Sequence, residues 1–146
     1  MATSSAIQTL IELATQDTDE AAKRLGQAVR AGDETEQKLA LLQQYRADYA
    51  ARFQASMAAG LSASGYRNFQ VFIDKLDQAI AGQQEVVRIA QARVAQERGA
   101  WQACERKRMS YDTLAARAQK EQQKQDNRRD QKQNDEHAAR AVLYKR

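Results

Sequence analysis

The residues best suited to metal or acid–base chemistry form one run, Asp135, Glu136 and His137, and His137 is the only histidine of the chain. Carboxylate and imidazole groups are common ligands of divalent metals. On a helix, however, consecutive residues point about 100° apart around the axis, so these three groups do not converge on one ion. We interpret the run as a solvent-exposed helix surface, and we expect no metal site and no cofactor.

The sequence gives equally little support for a nucleophilic active site. Cys104 is the only cysteine, so one chain can form neither a disulfide framework nor a cysteine-based zinc site. Its spacing after Trp101 predicts a small buried residue between helices, with a reactive thiol as the alternative. No glycine-rich phosphate loop is present, and two paired helices offer no concave pocket that excludes water. We therefore predict no catalytic residues and a protein that is not an enzyme.

The composition favours helices throughout. The 146 residues include no proline, 29% are charged, 6% are aromatic, and the mean hydropathy is −0.79. Such a chain has too few large apolar residues for a thick core, whereas two long helices need only a narrow apolar stripe each. No signal peptide and no apolar run of about 18 residues is apparent, so we expect a cytoplasmic protein.

Two heptad-like stripes support that interpretation. The first comprises Ile7, Ile11, Ala14, Thr18, Ala21, Leu25, Ala28, Gly32, Thr35, Leu39, Leu42, Arg46, Tyr49 and Phe53. The second comprises Ile73, Ile80, Val87, Val94 and Trp101, with Leu76, Ala90, Cys104 and Tyr111 at the complementary spacing. Because an isolated helix would leave its stripe in water, we expect the two stripes to pair.

The segment from Met57 to Phe69 predicts the turn between the two helices. Gly60 suits the left-handed position after a helix, and Ser62 or Ser64 suits the cap of the next one; Ser5 with Gln8 fits a capping box for the first helix. The prediction is an all-α fold, a long antiparallel two-helix coiled-coil hairpin with a C-terminal helical overhang. It forms a single domain, residues 1–146, with helices at about 5–58 and 66–141 and a turn at about 59–65.

The predicted arms are unequal. A turn centred near Leu61 pairs residue i with roughly residue 123 minus i, so the first helix ends opposite the region of Lys120. Residues 101–146 carry 12 Lys or Arg against 7 Asp or Glu, whereas residues 1–100 carry 11 against 12. A basic arm can bind nucleic acid, but acidic residues interrupt this one, and beyond Lys120 no aromatic side chain precedes Tyr144. We expect no nucleic acid and no small-molecule substrate.

Large residues cluster beside the turn in excess of what the stripes need. We call this set the tyrosine patch; its members are Leu42, Tyr45, Tyr49, Phe72, Leu76 and Ala79. They lie at three- and four-residue spacings on the two helices. Two interpretations remain open, a thicker core at the turn and an exposed surface that anchors a protein partner.

Three stretches carry a family resemblance: "LGQAVRAGDETEQKLALLQQYRADY", "MAAGLSASGYRNFQVFIDKLDQAI" and "NRRDQKQNDEHAAR". Together they resemble the FliJ family of flagellar type III export proteins over nearly the whole chain. The resemblance implies an antiparallel coiled coil, similar to the central stalk of rotary ATPases, that engages the hexameric export ATPase FliI and the cytoplasmic domain of the export gate protein FlhA. It also implies possible links to FliH and export chaperones, and a location at the cytoplasmic face of the export apparatus.

The resemblance also implies two sets of binding residues. The tyrosine patch matches the gate-binding surface of the family, although Lys38 stands where a glutamine is expected and Gln83 where a histidine is expected. The ATPase-binding set, which we call the tail surface, comprises Arg128, Asp130, Gln131, Lys132, Asp135 and Glu136. On this interpretation one rod, monomeric when free, couples two machines. The alternatives are a generic scaffold that homodimerises through the tyrosine patch and, less favoured, a nucleic-acid-binding arm.

Overall fold

Two long helices account for nearly all of the structure. The computed structural model describes the backbone of residues 2–145 and the side chains of residues 5–145. Helix α1 spans Ala2–Ala58 and helix α2 spans Ala63–Tyr144, and the described residues include no strand. The all-α hairpin predicted from the sequence is confirmed.

The turn forms largely as its residues predict. Gly60 adopts a φ of 91°, a conformation that favours glycine because it has no Cβ. The hydroxyl of Ser62 accepts a hydrogen bond of 3.1 Å from the backbone N–H of Gly65, which makes Ser62 the cap of α2. Ser64 lies inside the helix, so of the two predicted caps only Ser62 serves.

The other helix boundaries differ from the prediction. The capping box at Ser5 is wrong, because α1 begins at Ala2 and the carbonyl of Ser5 already accepts a bond from the Thr9 hydroxyl within the helix. Helix α2 runs from residue 63 to residue 144 instead of from about 66 to about 141. Its extension at the start follows from the serine cap, and nothing in the polar C-terminal sequence breaks the helix before Tyr144.

By internal packing the chain divides into two units, one formed by Glu20–Trp101 and the other by Met1–Asp19 with Gln102–Arg146. Within the first unit Ala21, Ala28, Ile73, Leu76 and Val87 are buried. Every residue of both predicted stripes is buried or half-buried, including Cys104, so the heptad interpretation is confirmed.

Small side chains let the helices of the first unit approach closely. Ala21 is fully buried, with 0% exposure, and an added Cβ at Gly32 would lie 3.7 Å from a methyl group of Val94. A residue larger than alanine at either position would force the backbones apart or the neighbours out of their rotamers. The alanine and glycine residues of α1 therefore keep the distance between the two helices short, and we call this region the narrow interface.

Polar contacts between the helices fix the register. The Gln83 side-chain amide donates to the carbonyl of Thr35 at 3.0 Å, and that of Gln91 donates to Glu36 at 3.0 Å. Arg46 forms an ion pair with Asp77. These pairs lie within about five residues of the predicted pairing of i with 123 minus i, so the antiparallel register is that expected from the position of the turn.

The other unit contains a half-buried ion pair at the helix interface. Ala14 and Thr18 are buried there, and the Thr18 hydroxyl donates to the Ala14 carbonyl at 2.8 Å. Arg108 is half-buried and pairs with Glu105, which raises the pKa of the guanidinium first through the hydrogen bond and then through charge, with further contributions from Asp112 and Asp19. Its Nε is buried without a hydrogen-bond partner. Arg108 thus stays charged at an interface position that an apolar residue would ordinarily occupy.

Neither described helix contains a segment that is long and apolar enough to cross a membrane.

Candidate functional site

An aromatic ladder crosses the two helices beside the turn. Its rings are Tyr45, Tyr49, Phe53, Tyr66, Phe69 and Phe72. Phe53 stacks on Phe69 with ring centroids 3.7 Å apart, and Tyr49 stacks on Phe69 at 4.7 Å. Aromatic pairs in such geometries add stability beyond their buried area. The ladder therefore packs tightly at the end of the first unit that lies next to the turn, and we call this end the platform.

Some side chains of the tyrosine patch are exposed on this platform, and others are partly or fully buried within it. Tyr45 is 55% exposed and Ala79 is exposed, whereas Leu42, Tyr49 and Phe72 are half-buried. Leu76 is only 8% exposed and belongs to the core. Tyr45 and Ala79 therefore lie on the surface of the molecule. Leu42, Tyr49 and Phe72 are partly covered and support that surface, and Leu76 packs between the helices.

The two positions at which the sequence departs from the family pattern behave differently. Gln83 is half-buried and turns its amide toward Thr35, where it satisfies a backbone carbonyl. Lys38 is exposed. Gln83 therefore contributes to the register of the helices, while Lys38 remains available at the margin of the tyrosine patch.

Exposed aliphatic residues extend the apolar surface beyond the predicted set. Leu41, which is 72% exposed, lies one turn before Tyr45 on the same face of α1. On α2, Val86 and Ile89 are exposed and lie two and three turns after Ala79. Sequence reasoning missed these three residues because it followed the stripes, yet their position next to the stripes was a usable signal.

The tail surface lies on an unpartnered part of α2. All described residues from Ala116 to Lys145 are exposed, with helix continuing to Tyr144. Over this range, within the described part of the chain, no charged side chain forms an ion pair. The segment thus presents its charged groups to solvent.

Helical geometry brings most of the tail surface to one face. At about 100° per residue, Arg128, Gln131, Lys132, Asp135 and Glu136 share a face, whereas Asp130 points to the opposite side. The Gln131 amide donates to Asp135 at 3.3 Å on that face. The predicted set is therefore grouped by the structure except for Asp130.

A basic stripe runs along the same face. Lys120, Lys124, Arg128 and Lys132 recur at four-residue spacing and are all exposed. Asp126 and Asp130 point away from this stripe. The sequence suggested interleaved charges; the helix turns Asp126 and Asp130 away from the stripe, whereas Asp135 and Glu136 share its face, and a helical-wheel projection would have found the stripe.

No arrangement for metal chemistry emerges from the described residues. No group of three or more His, Cys, Asp or Glu side chains is placed to hold a metal ion there. Asp135, Glu136 and His137 are each exposed.

Comparison with known proteins matches this chain to one family. The family model described as "Flagellar FliJ protein" matches residues 3–146. The chain is 30% identical over 145 residues to the Flagellar FliJ protein of Escherichia coli (strain K12), with 99% of each chain covered. It is 31% identical over 147 residues to the Flagellar FliJ protein of Salmonella typhi, again with 99% of each covered. The match over nearly the full length shows that the chain belongs to the flagellar FliJ protein family.

Proposed function

We propose that this chain is a component of flagellar type III protein export that engages the export ATPase FliI through its tail surface and the export gate protein FlhA through its tyrosine patch. The observation that carries the proposal is Tyr45, an aromatic side chain more than half exposed on a rigid platform of other rings. Exposed aromatic anchors on fixed backbones are typical centres of protein interfaces. Membership of the FliJ family supports the choice of FliI and FlhA as the partners.

The gate-binding role rests on chemistry that the tyrosine patch offers. Tyr45 supplies a large apolar face and a hydroxyl, and Leu41 adds an exposed apolar side chain one turn away on the same helix. Lys38 supplies a charge at the margin. A partner with an apolar centre and a polar rim would bury this surface as ordinary protein interfaces do.

The ATPase-binding role rests on the exposed tail of α2. A helix without deep apolar side chains between residues 116 and 137 makes many weak charged contacts, each worth little alone. Such contacts allow exchange between equivalent subunits of a ring, because no single contact traps the helix. The basic stripe favours contacts with acidic groups on the surface of the partner.

A homodimeric scaffold is the second candidate, because Leu41, Tyr45, Val86 and Ile89 would also suit a second copy of the chain. Binding measurements of the purified chain against FliI and the FlhA cytoplasmic domain test the export role, and sedimentation of the chain alone tests the scaffold. A monomer that binds both partners supports our proposal. A tight dimer that binds neither overturns it.

A further inference from the structure

A shallow groove, which we call the tip groove, opens between the end of α1 and the start of α2 and has a volume of about 240 Å³. Its lining includes the half-buried Phe53 and Phe69, which we call the floor, the exposed Arg52, Ser56 and Asn68, which we call the rim, and Leu61. The tip groove is smaller than the roughly 300–1,000 Å³ of typical small-molecule pockets. Its size suits one or two side chains of a partner protein.

The floor of the tip groove is apolar and held in place. Phe53 and Phe69 stack with an interplanar angle of 13°, and Tyr66 packs against Phe53 at 5.5 Å. Both phenylalanines are half-buried, so each leaves part of its ring accessible. A flat, partly exposed aromatic floor fits an aromatic or aliphatic side chain, which would gain by leaving water.

Leu61 lies over a glycine at the start of α2. A Cβ at Gly65 would lie 2.9 Å from a methyl carbon of Leu61, closer than packed carbon atoms approach. Gly65 therefore lets Leu61 fold over the first turn of α2, where the Ser62 cap fixes the backbone. The tip groove is open in the chain without a partner, which lowers the entropic cost of filling it.

The rim has a single charged residue. Arg52 is exposed and forms no ion pair within the described part of the chain. Asp48, one turn before it, instead accepts a hydrogen bond of 2.9 Å from the amide of Gln44. No acidic side chain lines the tip groove. A guanidinium in this position is suited to a carboxylate, which it can bind through two parallel hydrogen bonds.

We propose that the tip groove binds a partner segment in which an aromatic or aliphatic side chain stands next to a carboxylate. The apolar side chain rests on Phe53 and Phe69, the carboxylate pairs with Arg52, and Asn68 hydrogen-bonds the partner's backbone. Because Tyr49 both lines the tip groove and belongs to the tyrosine patch, the inference rests on the proposed function, with the gate protein as the partner.

A small-molecule probe tests the chemistry without the gate protein. We would titrate the full chain with 3-phenylpropanoate, which joins a phenyl ring to a carboxylate, and follow backbone amide shifts by NMR. The matched probe 3-phenylpropanamide lacks the charge. We expect saturable shifts at Ser56, Asn68 and Phe69 with millimolar affinity, at least about threefold weaker for the amide and for Arg52→Gln. No saturable shift at these residues, or equal binding of both probes, would overturn the proposal.

Binding measurements with the FlhA cytoplasmic domain test the biological role of the tip groove. Arg52→Gln removes the cation, Ser56→Trp fills the tip groove, and Arg67→Gln, an exposed arginine outside it, is the matched control. We expect the first two variants to lower affinity for the FlhA cytoplasmic domain at least about fivefold and the control to leave it unchanged, with thermal melting unchanged in all three.

The two proposals fail in distinguishable ways. If Tyr45→Ala weakens gate binding while Arg52→Gln and Ser56→Trp do not, the tip groove is not part of the interface and this inference alone is overturned. If the wild-type chain does not bind the gate domain, the proposed function fails, and the NMR titration still decides the chemistry of the tip groove. A dimer of the chain that Ser56→Trp converts to monomer would assign the tip groove to a second copy and overturn the proposal.

Discussion

The ring of Tyr45 on α1 lies edge-on to the ring of Phe72 on α2, with centroids 6.4 Å apart and planes inclined at 62°. Tyr45 nevertheless remains 55% exposed, while Phe72 is half-buried and also contacts Tyr49 at 4.4 Å. The contact orients Tyr45 without covering it. Tyr45 therefore contributes more to the surface of the molecule than to its core, and Phe72 contributes to both.

The first prediction concerns Tyr45. Tyr45→Ala removes the exposed ring, and we expect at least about a tenfold loss of affinity for the FlhA cytoplasmic domain with little change in melting temperature. Tyr144→Ala is a matched control, because Tyr144 is also an exposed tyrosine but lies outside both the tyrosine patch and the tip groove. Calorimetric titration measures the affinity. Equal losses for both variants would contradict the assignment of gate binding to Tyr45.

The second prediction concerns the ladder as a structural element. Phe69 stacks on both Phe53 and Tyr49, so Phe69→Ala removes two ring contacts and leaves a gap between the helices. We expect a loss of about 2–4 kcal/mol in the free energy of unfolding, measured by urea denaturation. Phe69→Leu, which keeps most of the volume, should recover part of the loss. A change below about 0.5 kcal/mol for Phe69→Ala would show that the ladder does not stabilise the turn.

The third prediction concerns the narrow interface. Ala21 has no exposed surface, so the larger side chain of Ala21→Leu has no space without displacing α2. We expect a destabilisation of about 1–3 kcal/mol in urea denaturation. Ala22→Leu, at the exposed neighbouring position, is the control and should be close to neutral. An equally stable Ala21→Leu variant would contradict the close approach of the helices.

The fourth prediction concerns pH. The hydrogen bond from Arg88 lowers the pKa of Glu85 below its ordinary value, so the ionised carboxylate is favoured in the folded state. This contribution is present above the unfolded pKa and is lost as pH falls through the folded pKa, that is, in the acid range. Glu85→Gln should therefore reduce the acid dependence of the melting temperature slightly, because the pair is exposed. Identical pH profiles of variant and wild type would exclude a stabilising role for the pair.

Particular residues explain what the sequence could and could not predict of the fold. Gly60 and Ser62 predicted the turn because a positive φ and a helix cap depend on local chemistry alone. The heptad stripes predicted which side chains are buried because burial follows the 3.5-residue period. The start of α1 was predicted wrongly because serine is compatible both with a helix cap and with a position inside a helix. In the structure Ser5 lies inside α1, and its carbonyl accepts a hydrogen bond from the Thr9 hydroxyl.

The candidate site was less accessible to sequence reasoning. Spacing placed Tyr45, Tyr49 and Phe72 together, but it could not assign exposure, which depends on how the opposite helix covers each ring. The tip groove was missed because it depends on the stacking of Phe53 in α1 on Phe69 in α2 and on Leu61, a turn residue that belongs to neither stripe. The grouping of the tail surface, in contrast, follows from helical geometry once the helix is known to continue.

The fifth prediction concerns the tail surface. Removing residues from about Gln122 onward deletes a helix segment whose described side chains are all exposed, so we expect little change in melting temperature and a marked loss of FliI binding and activation. The double substitution Arg128→Glu with Lys132→Glu reverses the basic stripe in the full-length chain and should weaken FliI binding at least about fivefold. Arg93→Glu with Arg98→Glu, two exposed arginines outside the tail, is the charge-matched control. A truncated chain that activates the ATPase as well as the intact one would contradict this role.

The most direct test of the account is a crossed binding measurement with two variants and two partners. Tyr45→Ala and the Arg128→Glu, Lys132→Glu double variant would each be titrated with the FlhA cytoplasmic domain and with FliI. We expect Tyr45→Ala to lose binding to the gate protein but keep binding to the ATPase, and the double variant to lose binding to the ATPase but keep binding to the gate protein. If both variants lose the same partner, or if neither loses any, the assignment of two separate surfaces to two partners is contradicted.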